Sequence, residues 1–418
     1  MSPEATSVPG AAAEPVALDF DPAGLRDVSD PYPVLRRVRE TAPVGRTRSG
    51  LWCVTGYDPA LDMLRHPLAT SGPIARGYLA ALPPGAAREE MSHRINFLDP
   101  PDHPRVRGLV SRTFSPRRVG ELRPFIASTA ERLLDELDPA SEVDLLRCFA
   151  HQVPSLVISE MLGVPVADRE ELTTWSDAVT PLLGFQLEPQ ERTSALAAAE
   201  EMAAYMAHLL DERVRAPGDD LLSALAHAEE DGHRLSRAEV LSLAATLYSA
   251  GHRTTRDLFC NGVSVLLQDA RSRDWLREDR SRVPAVVQEF LRYETPTLFV
   301  ARFPSQRIEL GGVAIGAGEP VLVVLAAANR DPAVFAEPDR FGPERFAGGR
   351  TAGVGPLSFV FGPHFCLGAS LARLEAEIML AALLARWPDV ALTDPDRLVW
   401  RHRGPFRGLV ELPVRLEG

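Results

Sequence analysis

Between Ser358 and Ser370 the chain reads SFVFGPHFCLGAS, with the thiol of Cys366 set between Gly362 and Gly368 and two residues after the imidazole of His364. A lone cysteine is usually a small buried hydrophobe. Here the two glycines permit a tight loop that brings backbone close to another group. The helical run that follows, LARLEAEIMLAALL, turns its free N–H groups and positive end towards the sulfur, which favours a thiolate. Such a thiolate suits the single axial position of a large flat cofactor. Zinc is the alternative, but it asks for four ligands and only His364 lies near in the sequence.

Three other constellations carry chemical side chains at meaningful spacings. Glu289 and Arg292 stand at i, i+3 and can form an ion pair on one helical face. Isolated at a surface, such a pair contributes little. His103 and Arg107, in DHPRVR, lie one helical turn apart and face the same way. Ala250-Gly251-His252-Arg253-Thr254-Thr255 places a small pair and two hydroxyls in the middle of a long helical pattern, where a glycine otherwise signals close packing of another helix.

Together these residues resemble the cytochrome P450 superfamily, in its soluble bacterial form. Phe359-x-x-Gly362-x-His364-x-Cys366-x-Gly368 is similar to the family's haem-binding signature, and Glu289-Phe290-Leu291-Arg292 to its E-x-x-R motif. The resemblance extends from about Asp30 to the C-terminus. It implies haem b held by the thiolate of Cys366, with Phe359 and Gly368 in the binding loop. It also implies that Arg345, in FGPERF, completes a structural cluster with Glu289 and Arg292. By the same resemblance His103, Arg107, Arg302 and His364 reach the haem propionates, Ala250 and Gly251 open a groove for dioxygen, and the Thr254 hydroxyl serves that groove. This sequence departs from the family at three places. Val360 stands where many bacterial members have glycine, and Pro363 removes a backbone donor near the sulfur. Arg253 replaces the acid that normally precedes Thr254. It is expected either to turn outwards into an ion pair or to face the pocket and bind a substrate carboxylate.

The implied activity is insertion of one oxygen atom from O2 into an apolar small molecule, a bacterial natural product, with single electrons from a separate ferredoxin. A peroxide-driven haem-thiolate peroxygenase and a non-oxygenating haem-binding protein are the rival readings. Pocket walls are expected from about Ile74 to Phe97, Leu182 to Phe185, Leu247 to Thr254, Thr297 to Val300, and Pro405 with Phe406. Arg105, Arg112, Arg117 and Arg118 are candidates for a basic patch that meets an acidic ferredoxin.

The elements that must carry these residues are mostly helices. The pattern implies a mainly α fold with a small β region, the cytochrome P450 fold with one long central helix over the haem. That helix is expected from Arg237 to about Asp269, opened by a Ser236–Glu239 capping box and apolar nearly all round. Ser115-Pro116 reads as the start of a helix through RRVGELRPFIASTAERLLDEL. Gly311-Gly312 divides two short alternating runs into a hairpin, and the final WRHRGPFRGLVELPVRL reads as strand and turn. Residues 1–20 are expected as a flexible tail and 21–418 as a single haem domain. The net charge of −12 on 418 residues argues against nucleic acid as a partner. No stretch is apolar enough for a membrane span, the start lacks a signal-peptide pattern, and the four cysteines are far apart. A cytoplasmic monomer is expected.

Overall fold

The computed structural model describes residues 14–183, 188–230, 232–348 and 354–416. The first element corrects the expected tail. Val16–Leu18 forms a strand (β1) that pairs in parallel with Val44–Thr47 (β2), and Leu18 and Phe20 are buried. Gly45 makes this possible, because a Cβ there would lie 2.7 Å from Leu18 Cγ. A three-residue apolar stretch in an Ala/Pro/Glu-rich surrounding gives too short a period to read, so the strand escapes sequence patterning. Residues 1–13 lie outside the described residues.

Trp52–Val54 (β3) follows antiparallel to β2, then a helix over Tyr57–Arg65 (α1) and the short strand Ala69–Thr70 (β4). The helical body comes next. Asp102–Thr113 (α2) carries the His103–Arg107 pair. Ser115 caps Pro116–Glu121 (α3) by accepting the Arg118 N–H, as the Ser-Pro pair indicates. The long helix expected beyond it breaks at Leu122, and a new one, Arg123–Asp135 (α4), starts there with Pro124 in its first turn. Proline has no N–H to continue the preceding ladder, so the break has a local cause. Gln152–Leu162 (α5), Arg169–Val179 (α6) and Pro189–Arg215 (α7) follow.

Arg237–Gln268 (α8) is the central helix, opened by the Ser236–Glu239 capping box. At about 1.5 Å per residue it is roughly 48 Å long. Phe259, Cys260 and Val263 on it are fully buried, and it packs against α5, against Val283–Tyr293 (α9), and against a later helix, Ala369–Arg386 (α10). The α8–α9 crossing is closest at Gly262, where a Cβ would sit 2.1 Å from the Phe290 ring.

The β region supplies the opposite wall. Val300–Pro304 (β5), the hairpin Ile308–Leu310 (β6) with Val313–Ile315 (β7), and Val321–Val323 (β8) occupy the stretch read as β-rich. Gly311 and Gly312 turn the hairpin at φ +57° and +83°, values that glycine adopts without steric cost. A six-stranded mixed sheet runs in the order β1-β2-β3-β8-β5-β4, with Arg302 opposite Val321. Trp400–Arg403 (β9) and Phe406–Leu409 (β10) make the expected C-terminal hairpin. No helix among the described residues is long and apolar enough to cross a membrane.

Candidate active site

The Cys366 loop is built before α10 begins. The Cys366 N–H donates to Phe359 O at 2.9 Å and folds the segment back on itself. Gly362, at φ +74°, lies so close to the end of α1 that a Cβ would meet Leu64 O at 2.4 Å. Arg107 Nη2 donates to Phe365 O at 2.7 Å, tying α2 to the loop. Arg373, one turn into α10, lies over the Phe359 ring at 4.6 Å, and Arg65 over Phe361 at 5.0 Å. Val360 sits at φ +61°, ψ −175°, a conformation that costs a β-branched residue on the order of 1–3 kcal/mol. Its replacement of glycine therefore strains the loop as well as stiffening it.

Cys366 is partly exposed, and desolvation pushes its thiol up while the Gly368 N–H and the charges of Arg107 and Arg373 pull it down. Bound to a metal the sulfur is deprotonated outright, and those same donors then stabilise it.

Next to this loop four basic side chains converge from three directions. The His103 and His364 rings are 4.2 Å apart. Burial, then Arg302, His103 and Arg107, push His364 down to about 3, and burial with Arg107 also lowers His103. Arg302 is 5% exposed and lowered to about 10 by burial. The acid that acts on both His103 and Arg302 is Asp99, whose oxygens already accept the Ser71 and Gly72 N–H groups at 2.7 and 2.8 Å.

On the facing side, Ala250 is exposed and Thr254 half-buried on α8, with Thr254 Oγ1 donating to Ala250 O at 2.8 Å. Gly251 points elsewhere. A Cβ there would meet Ile158 of α5 at 3.4 Å, so helix packing explains this glycine as fully as a groove does.

A buried ionic cluster backs the loop. Arg292 and Glu289 are fully buried and joined by two bonds of 2.7 Å, and Glu289 also takes Arg345 Nε at 3.3 Å and the Gly342 N–H at 2.7 Å. Arg292 donates to the carbonyls of Asn329, Pro338 and Arg340. Asn329 then donates to Ser358 Oγ and accepts the Leu357 N–H, carrying the cluster to the start of the cysteine loop.

Comparison with known proteins turns this arrangement into a family. A family model described as Cytochrome P450 matches residues 263–388. Over 415 residues the chain is 39% identical to the cytochrome P450 monooxygenase PikC of Streptomyces venezuelae, covering 97% of this chain and 96% of that protein. The chain belongs to the cytochrome P450 superfamily. It is also 38% identical over 401 residues to the 6-deoxyerythronolide B hydroxylase of Saccharopolyspora erythraea, covering 93% and 96%. The solved structure of the bacillaene polyketide synthase cytochrome P450 PksS of Bacillus subtilis superposes with a TM-score of 0.84 at 34% identity, covering 96% of this chain and all of that one.

Like its relatives, this P450 is a haem b monooxygenase. Its own residues fit the group. Haem b carries two propionates, and His103, Arg107, Arg302 and His364 form a half-buried cationic cradle in which His364 Nδ1 is buried without a hydrogen-bond partner. Two carboxylates would fill that deficit.

Arg253 of the P450 takes neither of its expected postures in full. It is 8% exposed, lowered to about 10 by burial, and its Nε lacks a partner. The charges that act on it are Asp257, Arg256, Arg401 and Asp177, so its guanidinium lies towards Asp257, one turn further along α8. Asp257 is already held by Arg256 at 2.8 Å and Arg401 at 3.4 Å, and among the described residues Arg253 is buried without an ion pair of its own.

Sequence reasoning missed Glu375. It is 1% exposed on α10, raised to about 8 by burial against the opposing pull of a hydrogen bond with Thr255, and its Oε1 has no partner. Thr255 Oγ1 in turn donates to Gly251 O at 3.0 Å. The signal was present: Glu375 falls on the buried stripe of Leu371, Leu374, Ile378 and Met379, where an acid is out of place.

Two further expectations are corrected. Leu298 and Phe299 pack into the core around Leu18 and Leu35 instead of lining a pocket, while Thr297, which bridges to Phe406, and Val300 keep partial exposure. Phe185 lies outside the described residues. The basic patch is largely neutralised locally, by Arg105–Glu239, Arg117–Glu121 and Arg118–Asp219 contacts. Each arginine sits beside an acid that is distant in the chain or one turn away, a pairing that single-residue reading does not reveal.

Proposed function

We propose that this P450 tailors an apolar bacterial natural product of the polyketide class, with electrons delivered singly by a separate ferredoxin. What supports the substrate class is the company the chain keeps at full length: one relative is named as a 6-deoxyerythronolide B hydroxylase and another as a polyketide biosynthesis enzyme. The haem domain is taken to begin with the β1 strand, ahead of residue 21, and to work as a cytoplasmic monomer.

In this reading the Cys366 thiolate would ligate the haem iron, and His103, Arg107, Arg302 and His364 would hold the propionates. The haem, when bound, supplies activation of dioxygen, and a thiolate ligand favours O–O cleavage. Ala250 and Thr254 line the hollow in which oxygen and substrate meet. Proton supply is the task that Arg253 cannot perform, because a guanidinium stays charged. Glu375, raised to about 8 by burial and so protonated at pH 7, is the buried acid that holds a proton on this stretch of α8, beside Thr255.

Screening macrolide and linear polyketide compounds for a Soret shift tests the substrate class. Type I shifts with macrolactones and none with fatty acids are expected; the reverse would favour a fatty-acid substrate. The peroxygenase reading asks for an arginine that faces the pocket, whereas the Arg253 guanidinium lies towards Asp257. Comparing turnover on a ferredoxin system with turnover on hydrogen peroxide separates the two, and efficient peroxide-only turnover would replace the present proposal.

A further inference from the structure

Away from the haem cradle, three helices bring two imidazoles and a carboxylate together. His151 caps α5, Asp177 lies near the end of α6, and His252 is on α8. Asp177 Oδ1 is 3.3 Å from His252 Nε2, and Asp177 Oδ2 is 3.5 Å from His151 Nε2. One ligand atom from each residue lies within 4.8 Å of the others. We propose that His151, Asp177 and His252 form a zinc-class divalent metal site that pins α6 to the central helix.

The geometry meets the demands of such a site. Metal–ligand distances of about 2.0–2.1 Å with tetrahedral angles place neighbouring ligand atoms about 3.3–3.4 Å apart. Each imidazole is near that distance from one of the two Asp177 oxygens, so the carboxylate would bridge to the ion with both, and the imidazoles would close in slightly on binding. The tautomer of His252 points the same way. Its Nδ1 lies 2.8 Å from Tyr248 O and must donate to that carbonyl, so Nε2 is the nitrogen that faces the carboxylate oxygen and is free to serve as a ligand atom. At 3.3 Å from the carboxylate oxygen, that nitrogen is placed to share a cation with it. An imidazole held by a backbone carbonyl through its other nitrogen is also the usual outer support of a histidine ligand. Tyr248 is itself fixed, with its hydroxyl 3.1 Å from Ser159 Oγ and 2.8 Å from Thr173 Oγ1.

His151 is aimed by an irregularity in the backbone. Leu146–Ala150 forms a π-turn, and the His151 N–H donates to Leu146 O, five residues back, at 2.8 Å. Such turns recur where a side chain must be re-aimed at a functional site. Exposure falls from Asp177 (39%) through His151 (17%) to His252 (0%), so a metal has an entry path and room for a water as fourth ligand. The surrounding charges narrow the choice of ion. Arg256 is neutralised by Asp257, but Arg253 lies one helical step from His252 and opposes a cation. Only a metal with high affinity for imidazole, zinc before magnesium or calcium, overcomes that.

The test uses haem-loaded protein, freed of extraneous metal with a chelator, equilibrated with zinc chloride and desalted. Zinc and iron are then measured together by elemental analysis in wild type, Asp177→Asn and His151→Ala. Wild type is expected to retain one zinc per haem iron and to melt higher with zinc present. Both variants, checked for an unchanged Soret band, should bind zinc more than about tenfold more weakly and show no zinc-dependent melting shift. Equal zinc in all three proteins, or none retained by wild type, would overturn the proposal. In the second case the cluster is a carboxylate hydrogen-bonded between two imidazoles.

Discussion

At the scale of single residues, the most informative side chain beyond the cysteine is Glu375. Its carboxyl is raised to about 8, so between the ordinary carboxylate range and pH 8 the unfolded chain has released a proton that the folded chain keeps. Stability is therefore lost as pH rises through that window. At pH 7 the cost is about 3 kcal/mol, from 1.36 kcal/mol per unit of separation. Glu375→Gln removes the titration, so the variant should melt above wild type at pH 7.5 and lose that advantage at pH 4.5, as thermal unfolding at the two pH values would record. The same variant should consume electrons with less product if Glu375 supplies protons. Unchanged coupling would return that role to water. Cys366 and its glycines were legible in the sequence because spacing alone marks a tight loop before a helix. Arg253 stood out there as a departure from the acid. Its lack of an ion pair was not legible, because Arg256 and Arg401 reach Asp257 from one residue away and from a distant hairpin.

At the scale of elements, two contacts hold the helices that carry the site. Gly262 lets Phe290 lie directly on α8, and a methyl there would overlap the ring. Gly262→Ala should cost about 3 kcal/mol by overpacking, seen as a lower urea midpoint with an unchanged slope. The Glu289–Arg292–Arg345 cluster is the second. Removing one partner of a buried charged cluster costs about 3–5 kcal/mol. Glu289→Ala should accordingly give little haem-loaded protein; a stable, haem-replete variant that is merely slow would assign the cluster to catalysis instead. The central helix, its capping box and both hairpins were legible because their signals are local: Ser236 with Glu239, Gly311 with Gly312. The β1 strand and the break at Leu122 were not. The first depends on Gly45 making room for a distant Leu18, and the second on one proline in an otherwise continuous helical pattern.

At the scale of the whole molecule, the proposed propionate cradle joins α2, β5 and the cysteine loop, crowding Arg107 and Arg302 against His103 and His364. Without a bound anion, His364 is pushed down to about 3, while the unfolded chain takes up its proton near the ordinary histidine value. Apoprotein stability is thus present above about pH 6.5 and lost as pH falls towards 3. Haem propionates would offset the crowded charge, so urea midpoints at pH 7 and pH 5 should diverge more for apoprotein than for haem-loaded protein. An equal loss in both would contradict the assignment of the cradle to the propionates.

The central claim is that Cys366 is the thiolate ligand of the haem. The most direct test is the spectrum of the dithionite-reduced, carbon monoxide-saturated protein. Wild type should show the red-shifted Soret band of a thiolate-ligated ferrous complex, and Cys366→Ala, supplied with haem, should lose it. A Cys366→Ala protein that keeps the red-shifted band would contradict the account.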